Sequence, residues 1–303
     1  MIYTITANPS MDYVLSLEQI NLGEINRTGN TYMFAGGKGI NVSRILGNLD
    51  LDSVALGFIG GPAGEFIENQ MNESALNNKF TRIKDDTRIN VKIKAQQETE
   101  INGLGPKITK EEKEEFMSNF AVLTSDDIVV AAGSVPPALG EDFYQEVVKT
   151  VCDHQAKFVV DTTGQALIDI LPYHPLLVKP NREELSEMFN VKLDNLNDIV
   201  HYGRELLNKG AQHVIVSMGG DGAVLITPDK VYHSIPIKIT IKNSVGAGDS
   251  MVAGFVGKYH QTNDALESFR LGVACGSATA ASEDLAQAPL IKEMLEKAEI
   301  NEI

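Results

Sequence analysis

The segment Asn243-Ser244-Val245-Gly246-Ala247-Gly248-Asp249-Ser250 leads directly into the helical pattern of Met251–Tyr259. A glycine-rich turn feeding a helix start leaves backbone N–H groups exposed at the positive end of the helix dipole, which makes an anion cradle. Asp249 would sit in the first turn, beside the bound anion. A carboxylate against a phosphate opposes simple binding. It makes sense if it takes the proton of a hydroxyl that attacks that phosphate. The purely structural alternative is that the dipole favours aspartate near any helix N-terminus.

Other segments have two readings of the same kind. Asn181-Arg182-Glu183-Glu184 has the form of a capping box, and an amide with a carboxylate on one helix face also suits water around Mg²⁺. Thr109-Lys110-Glu111-Glu112 reads as a capping box alone. Gly36-Gly37-Lys38-Gly39-Ile40-Asn41 is either a tight strand-to-helix turn or a place where backbone approaches a sugar, with Lys38 and Asn41 aimed at it. It is not a Walker A loop, because no glycine stands five residues before Gly37 and no Ser or Thr follows Lys38. Residues 79–94 carry six basic residues against two acidic ones. Within them Arg88 has the geometry to fork onto a phosphate, whereas Lys92 and Lys94 read as a solvated strand face. Arg27 lies in a second β-like region.

The elements that must position these residues alternate along the chain. Strand patterns at 2–7, 53–58, 127–132, 157–161, 176–178 and 213–217 interleave with helices beginning near Gly39, Ala63, Thr109, Leu139, Gln165, Asn181, Leu193, Ala247 and Asn263. Continuous apolar runs such as Ile128-Val129-Val130-Ala131-Ala132 suit strands buried on both faces of a parallel sheet. The reading is α/β, with helices on both sheet faces. Polar turns follow the strands: Asn8-Pro9-Ser10-Met11-Asp12, Gly60-Gly61, Gly133-Ser134, Asp161-Thr162-Thr163-Gly164, Lys179-Pro180-Asn181 and Ser217-Met218-Gly219-Gly220-Asp221-Gly222. In open parallel sheets ligands bind at that edge. Turns also need such residues for their own geometry. Residues 11–34 and 87–103 read as β without intervening helices, forming a small extra sheet or lid. Ile89, Val91 and Ile93 share one of its faces, and Arg88, Asn90, Lys92 and Lys94 the other. With no linker or repeat, residues 1–303 read as one domain carrying that appendage.

Composition narrows the partners. The 303 residues are 43% hydrophobic and 22% charged, with a formal net charge of −15. That charge argues against a nucleic-acid binder and against docking on an anionic membrane. The two cysteines, Cys152 and Cys275, form no CxxC or Cys/His ligand spacing, so zinc is not expected and a reducing, cytoplasmic setting is. The first 26 residues hold no Lys or Arg, so no signal-peptide start is expected. No Gly-x-Gly-x-x-Gly fingerprint occurs, which counts against a nicotinamide dehydrogenase.

Taken together, Ala35-Gly36-Gly37-Lys38-Gly39-Ile40-Asn41-Val42 and Asn243–Ser250 resemble the two signatures of the ribokinase-like carbohydrate kinases, in their phosphofructokinase-B branch. Lys179–Glu184 resembles that family's Asn-x-x-Glu helix start, and Ser217–Gly222 its nucleotide loop. The resemblance implies a three-layer α/β/α sandwich with a mostly parallel sheet and a small β lid. It implies ATP-dependent phosphorylation of a sugar phosphate, with Asp249 as general base and the Gly246, Ala247 and Gly248 backbone steadying the transferring group. Asp12, Gly36, Gly37, Lys38, Asn41, Asn90 and Ser134 would hold the sugar, and Arg27, Lys38 and Arg88 its phosphate. Lys179, Asn181, Ser217, Met218, Gly219, Gly220, Asp221, Gly222, Gly248 and Asp249 would hold ATP. Asn181 and Glu184 would act through water in the outer shell of Mg²⁺. Asp86–Lys92, Glu98–Gly103 and Arg270–Val273 resemble branch members that act on fructose 1-phosphate. Kinases of tagatose 6-phosphate or fructose 6-phosphate are the alternatives, and a non-catalytic sugar or nucleotide sensor is the alternative class. A homodimer paired through the lid is expected.

Overall fold

The computed structural model describes residues 1–303. In chain order the first elements are β1 (Ile2–Thr6), β2 (Ser10–Ser16), β3 (Asn30–Gly36), α1 (Lys38–Asn48), β4 (Ser53–Ile59), α2 (Gly61–Glu73), β5 (Thr81–Arg82), β6 (Arg88–Lys94), β7 (Thr99–Asn102) and α3 (Lys110–Ser118). The middle of the chain supplies β8 (Ile128–Ala132), α4 (Phe143–Asp153), β9 (Lys157–Asp161), α5 (Gly164–Ile170), β10 (Leu177–Val178), α6 (Arg182–Phe189), α7 (Leu196–Asn208) and β11 (Val214–Ser217). The last are β12 (Ala223–Ile226), β13 (Val231–Ser234), α8 (Ala247–Thr262), α9 (Ala265–Ala280), α10 (Ala288–Lys297) and β14 (Ile300–Glu302).

Ten strands form the main sheet in the order β14-β13-β12-β11-β10-β9-β8-β1-β4-β5. From β5 to β11 all neighbours are parallel, and β12, β13 and β14 add an antiparallel margin. The continuous apolar runs are explained by their two-sided burial. Ile128 and Val130 pack with Val252, Phe255 and Phe269 of α8 and α9, while Val129 and Ala131 pack with Phe116, Phe143 and Val147 of α3 and α4. Farther along, Val214, Val216 and Val224 meet Leu185, Ile199 and Leu206 of α6 and α7. Helices therefore cover both faces, as the strand composition requires.

The second sheet has four strands in the order β3-β2-β6-β7, and it occupies the two regions read as β without helices. Its register places Ser10, Asp12, Arg88, Asn90, Lys92, Glu100 and Asn102 on one face. Tyr13, Leu15, Met33, Ile89, Val91, Ile93 and Ile101 share the other. The polar face is the one turned inward, over the carboxyl edge of the main sheet. At its Ala35 end the apolar face is covered by Ile67 and Met71 of α2, and elsewhere it is open: Met33 is 46%, Ile89 48% and Ile101 60% exposed.

Some boundaries differ from expectation. The helix placed near Leu139 begins at Phe143, because Pro137–Leu139 forms a single 3₁₀ turn closed by Gly140 at φ 81°. The short strands β5, β12, β13 and β14 and helix α10 carry weak patterns and were not anticipated. No helix is long and apolar enough to cross a membrane.

Candidate active site

A cavity of about 1040 Å³ lies between the carboxyl edge of the main sheet and the polar face of the small one. Its floor is the start of α8. Gly246 is the N-cap, at φ 79°, a left-handed conformation that favours glycine, and it offers no capping side chain. The N–H groups of Gly248 and Asp249 therefore stay available to an anion, while that of Ala247 makes only a long bond to Ser244 O at 3.4 Å. Ser250 locks the turn by donating to Gly246 O at 2.8 Å and pairing with Thr279 at 2.8 Å.

Asp249 stands in that turn at 7% exposure. Asn41 of α1 donates to its Oδ2 at 2.8 Å. Burial, reinforced by the charge of Asp161, pushes the Asp249 carboxyl up to about 6, against the pull of Asn41, Lys38 and Lys179. A carboxylate of that strength is poised to accept a proton near neutral pH. Asp161, at the end of β9, is 5% exposed yet ionised: burial raises its carboxyl, but Lys179 and Lys38 together hold it below the ordinary value. Lys38 Nζ lies 2.9 Å from Asp161 Oδ2, and Lys179 Nζ 4.0 Å from Oδ1. Burial works against charge on Lys38, but Asp161 and then Asp249 and Glu184 outweigh it and raise its pKa.

The wall on the small sheet is a polar network. Asp12 Oδ1 accepts from Ser10 Oγ at 2.6 Å and from Asn90 Nδ2 at 3.0 Å. Gly36 backs this group, because a Cβ there would stand 2.6 Å from the Asp12 carboxylate. Ser134 lines the cavity beside Asn8, whose Nδ2 donates to Ser134 Oγ at 3.4 Å. Arg88 is less free than its sequence suggests. It donates twice to Asn8 O, at 2.9 and 3.2 Å, and once to Gly103 O at 2.9 Å. Its guanidinium thus ties the small sheet to the end of β1 while one edge borders the cavity.

On the opposite side, Ser217, Gly219, Gly220 and Gly222 line the cavity with Lys179, Asn181 and Glu184. Asn181 and Glu184 form a capping box, each accepting from the other's backbone N–H at 2.8 Å. Glu184 Oε1 and Asn181 Nδ2 are not used by that box. No group of three His, Cys, Asp or Glu side chains converges as a ready metal site.

Comparison with known proteins shows the family. The model of the pfkB family of carbohydrate kinases matches residues 5–292. The chain belongs to that family. It is similar to the 1-phosphofructokinase of Bacillus subtilis, 44% identical over 303 residues and covering 100% of both chains. It is also similar to the tagatose-6-phosphate kinase of Staphylococcus epidermidis, 37% identical over 270 residues and 87% of each chain. Among solved structures, phosphofructokinase-2 of Escherichia coli in complex with substrates and products superposes with a TM-score of 0.93. It is 27% identical, over 98% of each chain.

Within this pfkB kinase, four expected residues fall outside the cavity lining. Arg27 sits in the exposed turn between β2 and β3 and makes no contact with the cavity of its own chain. Gly36 contributes by backing Asp12. The Met218 side chain points into the core with Leu167 and Val216, because the strand-end alternation turns it away from the ligand edge. Asp221 reaches outward to Arg182 at 2.8 Å.

Lys92 is a correction: it is not a solvated strand residue. Its side chain is 15% exposed and pairs with Asp12 at 3.3 Å and Glu100 at 3.8 Å, because its face of the sheet is the inward one. Sequence reasoning also passed over Asp161 as more than a turn residue. It missed the apolar wall of Ile235, Ile237, Ile239 and Ile241 beside the glycine loop. The alternate isoleucines of that stretch were the available signal.

Proposed function

We propose that the protein transfers the γ-phosphoryl group of ATP to the 6-hydroxyl of fructose 1-phosphate, giving fructose 1,6-bisphosphate and ADP. The observation that carries the reading is Asp249. It is a buried carboxyl raised to about 6, set in the first turn of an uncapped helix and held by Asn41 from the sugar side. Asp249 takes the proton of the attacking hydroxyl, and the Ala247–Asp249 N–H groups with Lys179 stabilise the charge on the phosphoryl group in flight. Asp12, Asn90 and Asn41 orient the sugar, and Lys38, Arg88 and Lys92 face its phosphate. The adenine side rests between the glycine loop and the Ile235–Ile241 wall. The similarity to the B. subtilis enzyme over the whole chain supports the choice of sugar phosphate.

ATP enters as its Mg²⁺ complex. The free Oε1 of Glu184 and the amide of Asn181 suit water-mediated contact with that ion, whose contribution is to neutralise phosphate charge. Two free thiols, Cys152 and Cys275, fit a reducing cytoplasm. A second copy packs on the apolar outer face of the small sheet. The support for it is the exposure of Met33, Ile89 and Ile101 on that face.

Initial-rate kinetics on fructose 1-phosphate, fructose 6-phosphate and tagatose 6-phosphate at matched ATP test the assignment. The highest kcat/KM is expected for fructose 1-phosphate. Preference for either other sugar replaces the substrate, and no ADP formation with any of them removes the activity. Asp249→Asn should lower kcat by about 10²–10⁴-fold.

A further inference from the structure

The two ends of the cavity offer a ligand different chemistry. The reacting end is crowded with ionised and amide side chains. The end beside the glycine loop is walled by Ile235, Ile237, Ile239 and Ile241, with Val273 and Ala280 of α9. Ile237 and Ile239 pack on the main core, which anchors the wall. Among residues 235–245 and 273–280, none that lines the cavity carries a carboxylate, an amide or an imidazole, and the one charged side chain, that of Lys238, is exposed. Ser277 contributes a single hydroxyl, which both donates and accepts and turns to suit its partner. The backbone is not a fixed edge either. Residues 237–241 belong to no helix or strand, and no hydrogen bond within the chain holds their N–H and C=O groups.

We propose that the protein takes purine nucleoside triphosphates other than ATP as phosphoryl donors, those of guanosine and inosine in particular. The proposal rests on the reading that the triphosphate lies on the cradle at Asp249 with its base against the isoleucine wall. Adenine presents an amino donor and a ring acceptor where guanine and hypoxanthine present a carbonyl acceptor and a ring N–H donor. A site tells these edges apart only if it holds a fixed polar partner for one of them. It then rejects the wrong edge by about 10⁴–10⁵-fold, whereas an apolar pocket manages only about 10²-fold. This wall recognises the apolar area of a two-ring base, which the three purines share. The transfer step is the same for each donor. The bond from the γ-phosphorus to its bridging oxygen breaks, and the bond to the sugar hydroxyl oxygen forms. That hydroxyl's proton goes to Asp249, and GDP or IDP leaves in place of ADP.

The test is initial-rate kinetics of the unaltered protein on fructose 1-phosphate with ATP, GTP and ITP, each as its Mg²⁺ complex, following formation of fructose 1,6-bisphosphate. The kcat/KM for GTP and for ITP should lie within about 10²-fold of that for ATP, with most of any difference in KM. A larger gap for either donor overturns the proposal. Two variants ask whether a side chain reads the base. Ser277→Ala removes the one hydroxyl on α9 at the wall, and Ile241→Ala trims a side chain that is 65% exposed, so the core is left intact. Each should shift KM for ATP and for GTP by the same factor. A change of more than about tenfold in the ATP-to-GTP ratio of kcat/KM, in either variant, reveals a base reader and overturns the proposal. No product with any donor would instead overturn the assigned activity, so the two failures are distinguishable.

Discussion

Replacing Asp249 by asparagine should stabilise the fold, and the gain should depend on pH. The carboxyl is 7% exposed and is raised from 3.8 to about 6, first by burial and then by Asp161. A carboxyl held above its unfolded value binds its proton more tightly when folded, so its ionisation opposes folding. Below about pH 4 it is protonated in both states and the penalty is absent. The penalty develops as pH rises from about 4 to about 6 and is complete above that. At 1.36 kcal/mol per unit it reaches about 3 kcal/mol. Asparagine has the same shape and carries no such penalty. For a chain of this size that corresponds to about 5 °C in Tm. Thermal and urea unfolding of ligand-free protein and Asp249→Asn, from about pH 4 to about pH 8, read the difference directly. The gap should widen by about 3 kcal/mol across that range and then level off. A gap that stays constant, or closes as pH rises, would refute the claim that the site holds Asp249 in a costly ionised state.

With the fold intact, kcat/KM should fall about tenfold per pH unit below about pH 6, as Asp249 takes up its proton, and a profile flat to pH 5 would contradict this. Gly248→Ala places a Cβ 3.1 Å from Lys179 Nζ, at the mouth of the N–H cradle. It should lower kcat by about 10²-fold while Tm moves by only a few degrees, as steady-state kinetics and calorimetry would show. The paired substitution of Ile89 and Ile101 by lysine charges the open part of the small sheet's apolar face. In sedimentation the unaltered protein should run as a dimer and the double variant as a monomer.

Much of the architecture was legible because two-sided burial leaves a plain mark. Ile128–Ala132, Phe158–Val160 and Val214–Val216 have no polar alternation, and each lies inside the parallel part of the main sheet. The anion cradle was legible for a similar reason, since Gly246-Ala247-Gly248-Asp249 is local and its function depends on one helix start. The margin β12–β14 was not. Its strands are three or four residues long and owe their existence to successive pairing outward from β11 rather than to their own composition. Lys92 was misplaced because period-two alternation assigns residues to two faces and says nothing about which face turns inward.

The sequence by itself determined the α/β class, the family and the identity of the proposed base, because these rest on patterns contained within single segments. Only the tertiary structure decided the charge state of the site. Asp161, Lys38, Lys179 and Asp249 come from four elements separated by up to 211 residues. The basicity of Asp249 depends on their distances and on the water they exclude. Coulomb interactions and desolvation act through space, so no order of residues along the chain can state them before the chain has folded.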